Sequence, residues 1–166
     1  EDSHFINGLQ NIRWPGRLDI VSRKPMMILD CAHNPSAVRR ALRSLEELNI
    51  RIGTLIYSSS KDKDFRTVAG LLFPRSKRIV LTRYGSDRSV NPQDLGALPE
   101  AKDKEIFLTN KVSEALELAK GITPSDETII VVGSIFLVGD ALSWIRYGTE
   151  GDFSLAGFAP QHIPKS

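Results

Sequence analysis

An acid, a histidine and an asparagine follow one another closely where an apolar segment changes to a helical pattern, in LDCAHNPSAVRRAL at residues 29–42. Helix initiation explains Asn34, a favoured N-cap, and Pro35, which suits the first helical position. It does not explain Asp30, because a carboxylate that ends an apolar strand needs donors or water. A neutral His33 beside a helix N-terminus could donate to an anion that the free backbone N–H groups also bind. His33 is therefore a candidate ligand contact, with a structural role as the alternative.

A second candidate is the arginine in RWPGRLDIV, at residues 13–21. Trp14-Pro15-Gly16 predicts a stiff turn, and Arg17 follows it at the start of a strand. A guanidinium at this position can bind a phosphate or a carboxylate. A surface arginine beside a core tryptophan fits the pattern equally well.

Two more stretches place hydroxyl groups or charges after predicted strands: SSSKDKDF at residues 58–65 and VVGSIFLVG at residues 131–139. Asp64 is interpreted as the cap of the helix that follows. Lys63 could neutralise an anionic ligand. Ser134 fits either a helix cap or a ligand contact.

The composition argues against several classes of protein: nucleic-acid-binding, membrane-spanning, disulfide-bonded and metal-binding proteins. The net charge of +2 over 166 residues, without a basic and aromatic stripe, does not indicate nucleic acid as a partner. No apolar run approaches the roughly 18 residues of a membrane helix, so no membrane span is expected. Cys31 is the only cysteine, which excludes an internal disulfide and favours a reducing, cytoplasmic location. The three histidines lack the spacing of metal ligands, and we predict no metal site in this chain.

The chain begins with Glu1, not Met, which fits a piece of a longer protein and fits an engineered or processed start equally well. The sequence also contains no Gly-x-x-x-x-Gly-Lys-Ser/Thr loop, so this chain alone cannot bind a triphosphate in the P-loop manner.

The elements that must position these residues follow from apolar runs that alternate with helical periodicity. Six strands are expected, at 18–21, 26–29, 54–57, 78–82, 105–108 and 128–132. Helices are expected at 38–48, 65–72, 112–119 and 136–145, with a short helical turn at 92–95. This alternation predicts an α/β fold: a Rossmann-like, mostly parallel sheet of about six strands with helices on both faces. The short turn around residues 23–25 makes the first strand antiparallel. Ligands of such sheets bind outside the carboxyl ends of the strands, where the candidate residues lie.

These stretches together resemble the C-terminal domain of folylpolyglutamate synthases, which include bifunctional dihydrofolate synthases and are relatives of the Mur ligases. WPGR at 14–17 and DCAHNP at 30–35 are specific in combination, whereas YSSSKDKD and VVGSIFLVGDAL are supportive. The resemblance covers residues 6–145. It implies a Mur-type glutamate ligase domain at 14–146. Residues 1–13 have no strong periodicity and are expected to be a linker remnant. Residues 147–166 contain several glycines and prolines and are expected to be a C-terminal tail, which matches no part of the family.

The resemblance also implies chemistry. The family joins glutamate to a folate or dihydropteroate through an acyl phosphate made from ATP. The resemblance implies that Arg17 contacts phosphate and that Asp30 contacts the ribose of ATP. It also implies that His33 lies near the reacting phosphate or the incoming glutamate. Lys63 and Ser134 are implied on the glutamate side. The P-loop and the Mg²⁺ ligands are expected in an N-terminal domain, the implied partner, so the chain alone should be inactive. Another Mur-type ligase and a noncatalytic ligand-binding module remain alternatives.

Overall fold

The computed structural model describes residues 16–148. Its sheet consists of β1 (Asp19–Arg23), β2 (Met26–Asp30), β3 (Ile52–Tyr57), β4 (Ser76–Leu81), β5 (Glu105–Leu108) and β6 (Thr128–Val132). The strands lie in the spatial order β1-β2-β6-β3-β4-β5. β1 is antiparallel to β2, and the other neighbours are parallel. The predicted six-stranded, mostly parallel sheet with one antiparallel strand is confirmed.

The helices are α1 (Pro35–Glu47), α2 (Phe65–Leu72), α3 (Pro92–Gly96), α4 (Val112–Ile122) and α5 (Ile135–Tyr147). The strand order determines the face on which each helix packs. From β2 to β5 the chain moves toward one edge of the sheet, and the next connection returns to insert β6 between β2 and β3. Because connections between parallel strands are right-handed, α1, α2 and α3 lie on one face and α4 lies on the other.

Two apolar cores result, one on each face of the sheet. Neighbouring side chains of a strand point to opposite faces. Ile28 and Ile130 accordingly belong to the cluster that includes the buried faces of α1, α2 and α3. Leu29 and Val131 belong to the cluster with α4 and α5. The predicted helices on both faces are confirmed.

Several predicted boundaries were wrong by one to three residues. The first strand starts at Asp19, because Leu18 has a φ of 44° that cannot continue a strand. The predicted helix at 65–72 is continued by a 3₁₀ turn, Phe73–Arg75, which contains Pro74 and needs no N–H from that proline. The last helix runs to Tyr147, where Gly148 closes it with a left-handed conformation.

Some predictions fall outside the described residues. The linker at 1–13, the Trp14-Pro15 pair and residues 149–166 of the tail are among them. Within residues 16–148, no helix has the length and apolar character needed to cross a membrane.

Candidate active site

An open cleft of about 410 Å³ lies between the carboxyl end of β2, the turn at residues 16–18 and one face of α1. Arg17, Asp30 and His33 all line this cleft. The structure therefore brings Arg17 of the WPGR motif together with Asp30 and His33 of the DCAHNP motif.

The turn before β1 is held against β2 by Gly16. The carbonyl oxygen of Gly16 accepts a hydrogen bond from the backbone N–H of Cys31 at 2.7 Å. Gly16 has a φ of 75°, and a Cβ atom there would lie 2.7 Å from the Cys31 sulfur and 2.9 Å from Cγ1 of Val138. Only glycine fits this close approach, which places the next residue, Arg17, beside Asp30.

The Asp30 carboxylate is buried but hydrogen-bonded. Its Oδ2 accepts from the N–H of Leu18 at 3.0 Å, and its Oδ1 accepts from the N–H of Ala32 at 2.8 Å. Burial raises the pKa of Asp30, and these two donors together with the charge of Arg17 oppose that rise. Each carboxylate oxygen has a second lone pair, so Asp30 can also accept hydrogen bonds from ligand hydroxyl groups.

The His33 ring is oriented by the backbone, because its Nδ1 lies 2.9 Å from the carbonyl oxygen of Cys31. A carbonyl oxygen only accepts, so Nδ1 carries the proton and Nε2 of the neutral ring is an acceptor. With Nδ1 bonded in this way, a neutral ring does not donate to an anion through Nε2, and the contact of His33 with a ligand stays a prediction. The ring can donate through Nε2 only in its charged form.

Helix initiation at α1 follows the predicted pattern. Oδ1 of Asn34 accepts from the N–H of Ala37 at 2.9 Å, and Pro35 occupies the first turn. The cap brings the amino end of α1 to the same end of the cleft as His33. Pro35 has no N–H, and Ala37 and Val38 donate theirs to Asn34, so the N–H of Ser36 is the one left for a ligand in this turn.

The loop after β3 carries Lys63 on the surface, outside the residues that line the cleft. The Lys63 ammonium lies 3.6 Å from Oδ2 of Asp62, which also contacts Arg88 at 3.1 Å. Asp64 caps α2 by accepting from the N–H of Thr67, as predicted.

Ser134, at the end of β6, is buried and caps α5 by accepting from the N–H of Phe136 at 3.2 Å. Ser134 does not line the cleft, although the next residue, Ile135, does. Gly133 precedes it with a φ of 122°, and a Cβ atom there would collide with the carbonyl oxygen of Ser58 and the ring of Tyr57.

Comparison with known families identifies the family of the domain. The family model described as Mur ligase, glutamate ligase domain, matches residues 16–135. The chain belongs to this family.

Relatives of this glutamate ligase domain are folate enzymes. The chain is 31% identical over 141 residues to a probable bifunctional folylpolyglutamate synthase/dihydropteroate synthase of Haloferax volcanii, covering 84% of the chain and 17% of that protein. It is 28% identical over 142 residues to the dihydrofolate synthase/folylpolyglutamate synthase of Bacillus subtilis, covering 84% of the chain and 32% of that protein.

A solved structure is also similar to the domain. It is a bifunctional folylpolyglutamate synthase/dihydrofolate synthase from Yersinia pestis, complexed with AMPPNP and a Mn ion, with a TM-score of 0.75 and 25% identity. The match covers 86% of the chain and 34% of that structure. The chain thus spans about a third or less of the length of each of these three proteins.

Among the cleft-lining residues of the glutamate ligase domain that sequence reasoning missed, Arg40 is the one with a charged side chain. Its spacing from Ala37, Ala41 and Ser44 places all four on one face of α1, which is the available sequence signal. Among residues 16–148, no group of three or more histidine, cysteine or acidic side chains could hold a metal ion.

Proposed function

We propose that this chain forms the C-terminal side of the active site of an ATP-dependent ligase that joins glutamate to a folate or dihydropteroate through an acyl phosphate. The observation that carries this proposal is the position of Arg17, Asp30 and His33 on one cleft at the carboxyl end of β2. The folylpolyglutamate synthases among the relatives support the choice of substrates.

The cleft suits a nucleotide. Asp30 offers two carboxylate oxygens that each retain an acceptor position for the hydroxyl groups of a ribose. Arg17 lies on the same cleft, where its guanidinium can form paired hydrogen bonds with phosphate oxygens. In this proposal ATP supplies the phosphoryl group that activates the carboxyl group of the folate substrate.

His33 is proposed as the catalytic proton acceptor. The amino group of glutamate must lose a proton as it attacks the acyl phosphate and displaces phosphate. The hydrogen bond from Nδ1 to Cys31 leaves Nε2 as the basic atom of the ring. An imidazole held in one orientation with its acceptor in the cleft suits this proton transfer.

Lys63 and Ser134 are proposed on the glutamate side. The Lys63 ammonium is solvent-exposed and can approach a carboxylate, although Asp62 lies 3.6 Å away. The Ser134 oxygen accepts the capping hydrogen bond, and its O–H remains able to donate. Both follow the carboxyl ends of strands, the edge on which ligands of such sheets bind.

The remaining parts of the site are assigned to an N-terminal domain of the same protein. The described residues offer no fit for Mg²⁺, since they contain no cluster of metal ligands. We therefore propose that the P-loop and the Mg²⁺ ligands come from that domain, and that this chain alone does not ligate glutamate. The single cysteine favours a cytoplasmic location for the reaction.

Ligation assays on the protein from the complete reading frame test the proposal. ATP, Mg²⁺ and labelled glutamate are supplied with either dihydropteroate or a reduced folate, and label in the product is counted. Label on a folate that is lost in Asp30→Ala and His33→Ala supports the proposal. Ser36→Ala, on the same helix but outside the cleft lining, is the matched control and should retain activity.

Other results would lead to different conclusions. Label that survives both substitutions would contradict the assigned residues while keeping the ligase. No label with either acceptor would favour another Mur-type ligase, which a panel of other amino acids and acceptors can identify. Nucleotide binding without any ligation would favour the noncatalytic module.

A further inference from the structure

One flank of α1 forms the wall of the cleft that faces the turn at residues 16–18. Ala37, Arg40, Ala41 and Ser44 line this wall. Three of the four side chains are small, so they leave a shallow trough along the helix. Arg40 is the one long side chain among them, and helical side chains tilt toward the helix N-terminus. A side chain with this tilt can extend its guanidinium along the trough, toward the end where Asp30 and His33 lie.

Arg40 is also a cation without a partner in the described part of the chain, where no ion pair or hydrogen bond involves its side chain. The one acid on the cleft, Asp30, already accepts two backbone N–H groups. Arg17 and Arg40 thus give the cleft an excess of positive charge, and a bound ligand is the natural partner for Arg40.

The length of the helix indicates which part of a nucleotide Arg40 meets. Arg40 lies six residues beyond the cap Asn34, which is about 9 Å along the helix axis. In the proposed function, Arg17 binds phosphates and Asp30 binds the ribose, and both residues precede α1 in the cleft. The wall of α1 that carries Arg40 is then left for the base.

We infer that Arg40 is a determinant of nucleotide binding, whose guanidinium plane stacks on the base of the bound purine nucleotide. This inference rests on the proposed function, because it takes ATP as the ligand of the cleft. A guanidinium stacks favourably on the face of an aromatic ring, and the small side chains of Ala37 and Ala41 leave room for the base beside the helix.

Binding of labelled ADP to the protein from the complete reading frame, measured by equilibrium dialysis, tests the inference. Arg40→Ala should weaken ADP binding about five- to tenfold. Inorganic tripolyphosphate, measured as a competitor, has no base, and its affinity for Arg40→Ala should fall by no more than about twofold through the loss of one positive charge. Arg39→Ala, the adjacent exposed arginine that does not line the cleft, should leave both affinities unchanged.

Arg40→Lys separates stacking from charge. Lysine keeps the charge but lacks the plane, so we expect only partial recovery of ADP binding. Complete recovery in Arg40→Lys, or an equal loss of tripolyphosphate binding in Arg40→Ala, would overturn the stacking role. An ADP affinity within twofold of the wild type in Arg40→Ala would overturn any role for Arg40.

The assay is independent of ligation. It needs neither glutamate nor a folate, so a protein that binds ADP but ligates nothing would contradict the proposed function and still test Arg40. If Arg40→Ala left ADP binding unchanged in a protein that ligates glutamate, the result would contradict this inference and leave the proposed function intact. A wild-type protein that binds no ADP would contradict both.

Discussion

Nδ1 of His33 lies 2.9 Å from the carbonyl oxygen of Cys31, two residues earlier in the chain. This contact fixes both the tilt of the ring and its tautomer, because a carbonyl oxygen can only accept. Nε2 is then the ring nitrogen that can accept a proton. The backbone that ends β2 therefore determines which proton transfers His33 can perform.

Replacing His33 by asparagine separates the hydrogen bond to the Cys31 carbonyl from the basic nitrogen Nε2. An asparagine amide can still donate to the Cys31 carbonyl, but it offers no basic nitrogen in the place of Nε2. In the protein from the complete reading frame, we expect kcat for glutamate ligation to fall about 100-fold or more. ADP binding should stay within about threefold of the wild type, measured by equilibrium dialysis. A kcat close to that of the wild type would contradict the role of proton acceptor.

The Cys31 thiol should be unreactive at neutral pH even though it borders the cleft. Burial, followed by the nearby Asp30 charge, raises the pKa of Cys31 to about 11. At pH 8 only about one molecule in a thousand carries the thiolate, which is the nucleophile. Since Cys31 is the only cysteine, iodoacetamide labelling followed by mass spectrometry reports on this thiol alone.

We expect the labelling rate of Cys31 in the folded chain to rise between pH 10 and 12 and the urea-unfolded chain to react much faster at pH 8. A folded chain that labels at pH 8 as fast as the unfolded one would contradict the raised pKa.

The sheet and most of the cleft could be predicted because their signals are local. Apolar alternation marks the strands, and the Asn34-Pro35 pair marks the start of α1 without tertiary information. Asp30 and His33 stand out because neither helix initiation nor an apolar core explains them. The direction of proton donation by His33 could not be predicted, since it depends on how the Cys31 carbonyl folds back toward the ring.

Arg40 shows a different limit. The apolar face of α1, with Val38, Leu42 and Leu45, defines which side of the helix is buried. It leaves two polar flanks, one with Arg39 and Arg43 and the other with Arg40. Which flank borders a ligand depends on the position of the turn at residues 16–18, and that is a tertiary relationship.

The amino ends of the strands carry a charge cluster whose stability should depend on pH. Glu127 accepts from Arg78 at 2.7 Å and from Lys77 at 2.6 Å, and these hydrogen bonds lower the pKa of Glu127. A lowered pKa means that the folded chain favours the charged form. The stabilisation is present above 4.5, the ordinary value, and is lost as the pH falls through the lower folded value.

Glu127→Gln should therefore reduce the free energy of unfolding by about 1 kcal/mol at pH 7, and by progressively less as the pH falls below 4.5. Glu105→Gln is the matched control, because Glu105 is exposed and lies 3.8 Å from the same arginine. It should change stability by less than about 0.5 kcal/mol. Urea unfolding at several pH values measures both. A deficit for Glu127→Gln that is equal at pH 7 and pH 3.5 would contradict the ionic origin.

Gly133 should be the glycine that tolerates substitution least. Its φ of 122° is unfavourable for any other residue, and a Cβ atom would collide with the Ser58 carbonyl and the Tyr57 ring. Because β3 and β6 are central strands, neither neighbour can move freely. We expect Gly133→Ala to lower the free energy of unfolding by about 2 kcal/mol or more, measured by urea unfolding.

Gly121, a glycine within a helix, provides the contrast with Gly133. It lies in α4, is exposed, and would place its Cβ atom in open space. Gly121→Ala should raise stability by about 0.5–1 kcal/mol, because alanine loses less conformational entropy in a helix. A Gly133→Ala variant whose unfolding midpoint equals that of the wild type would contradict the close approach of Gly133 to Ser58 and Tyr57.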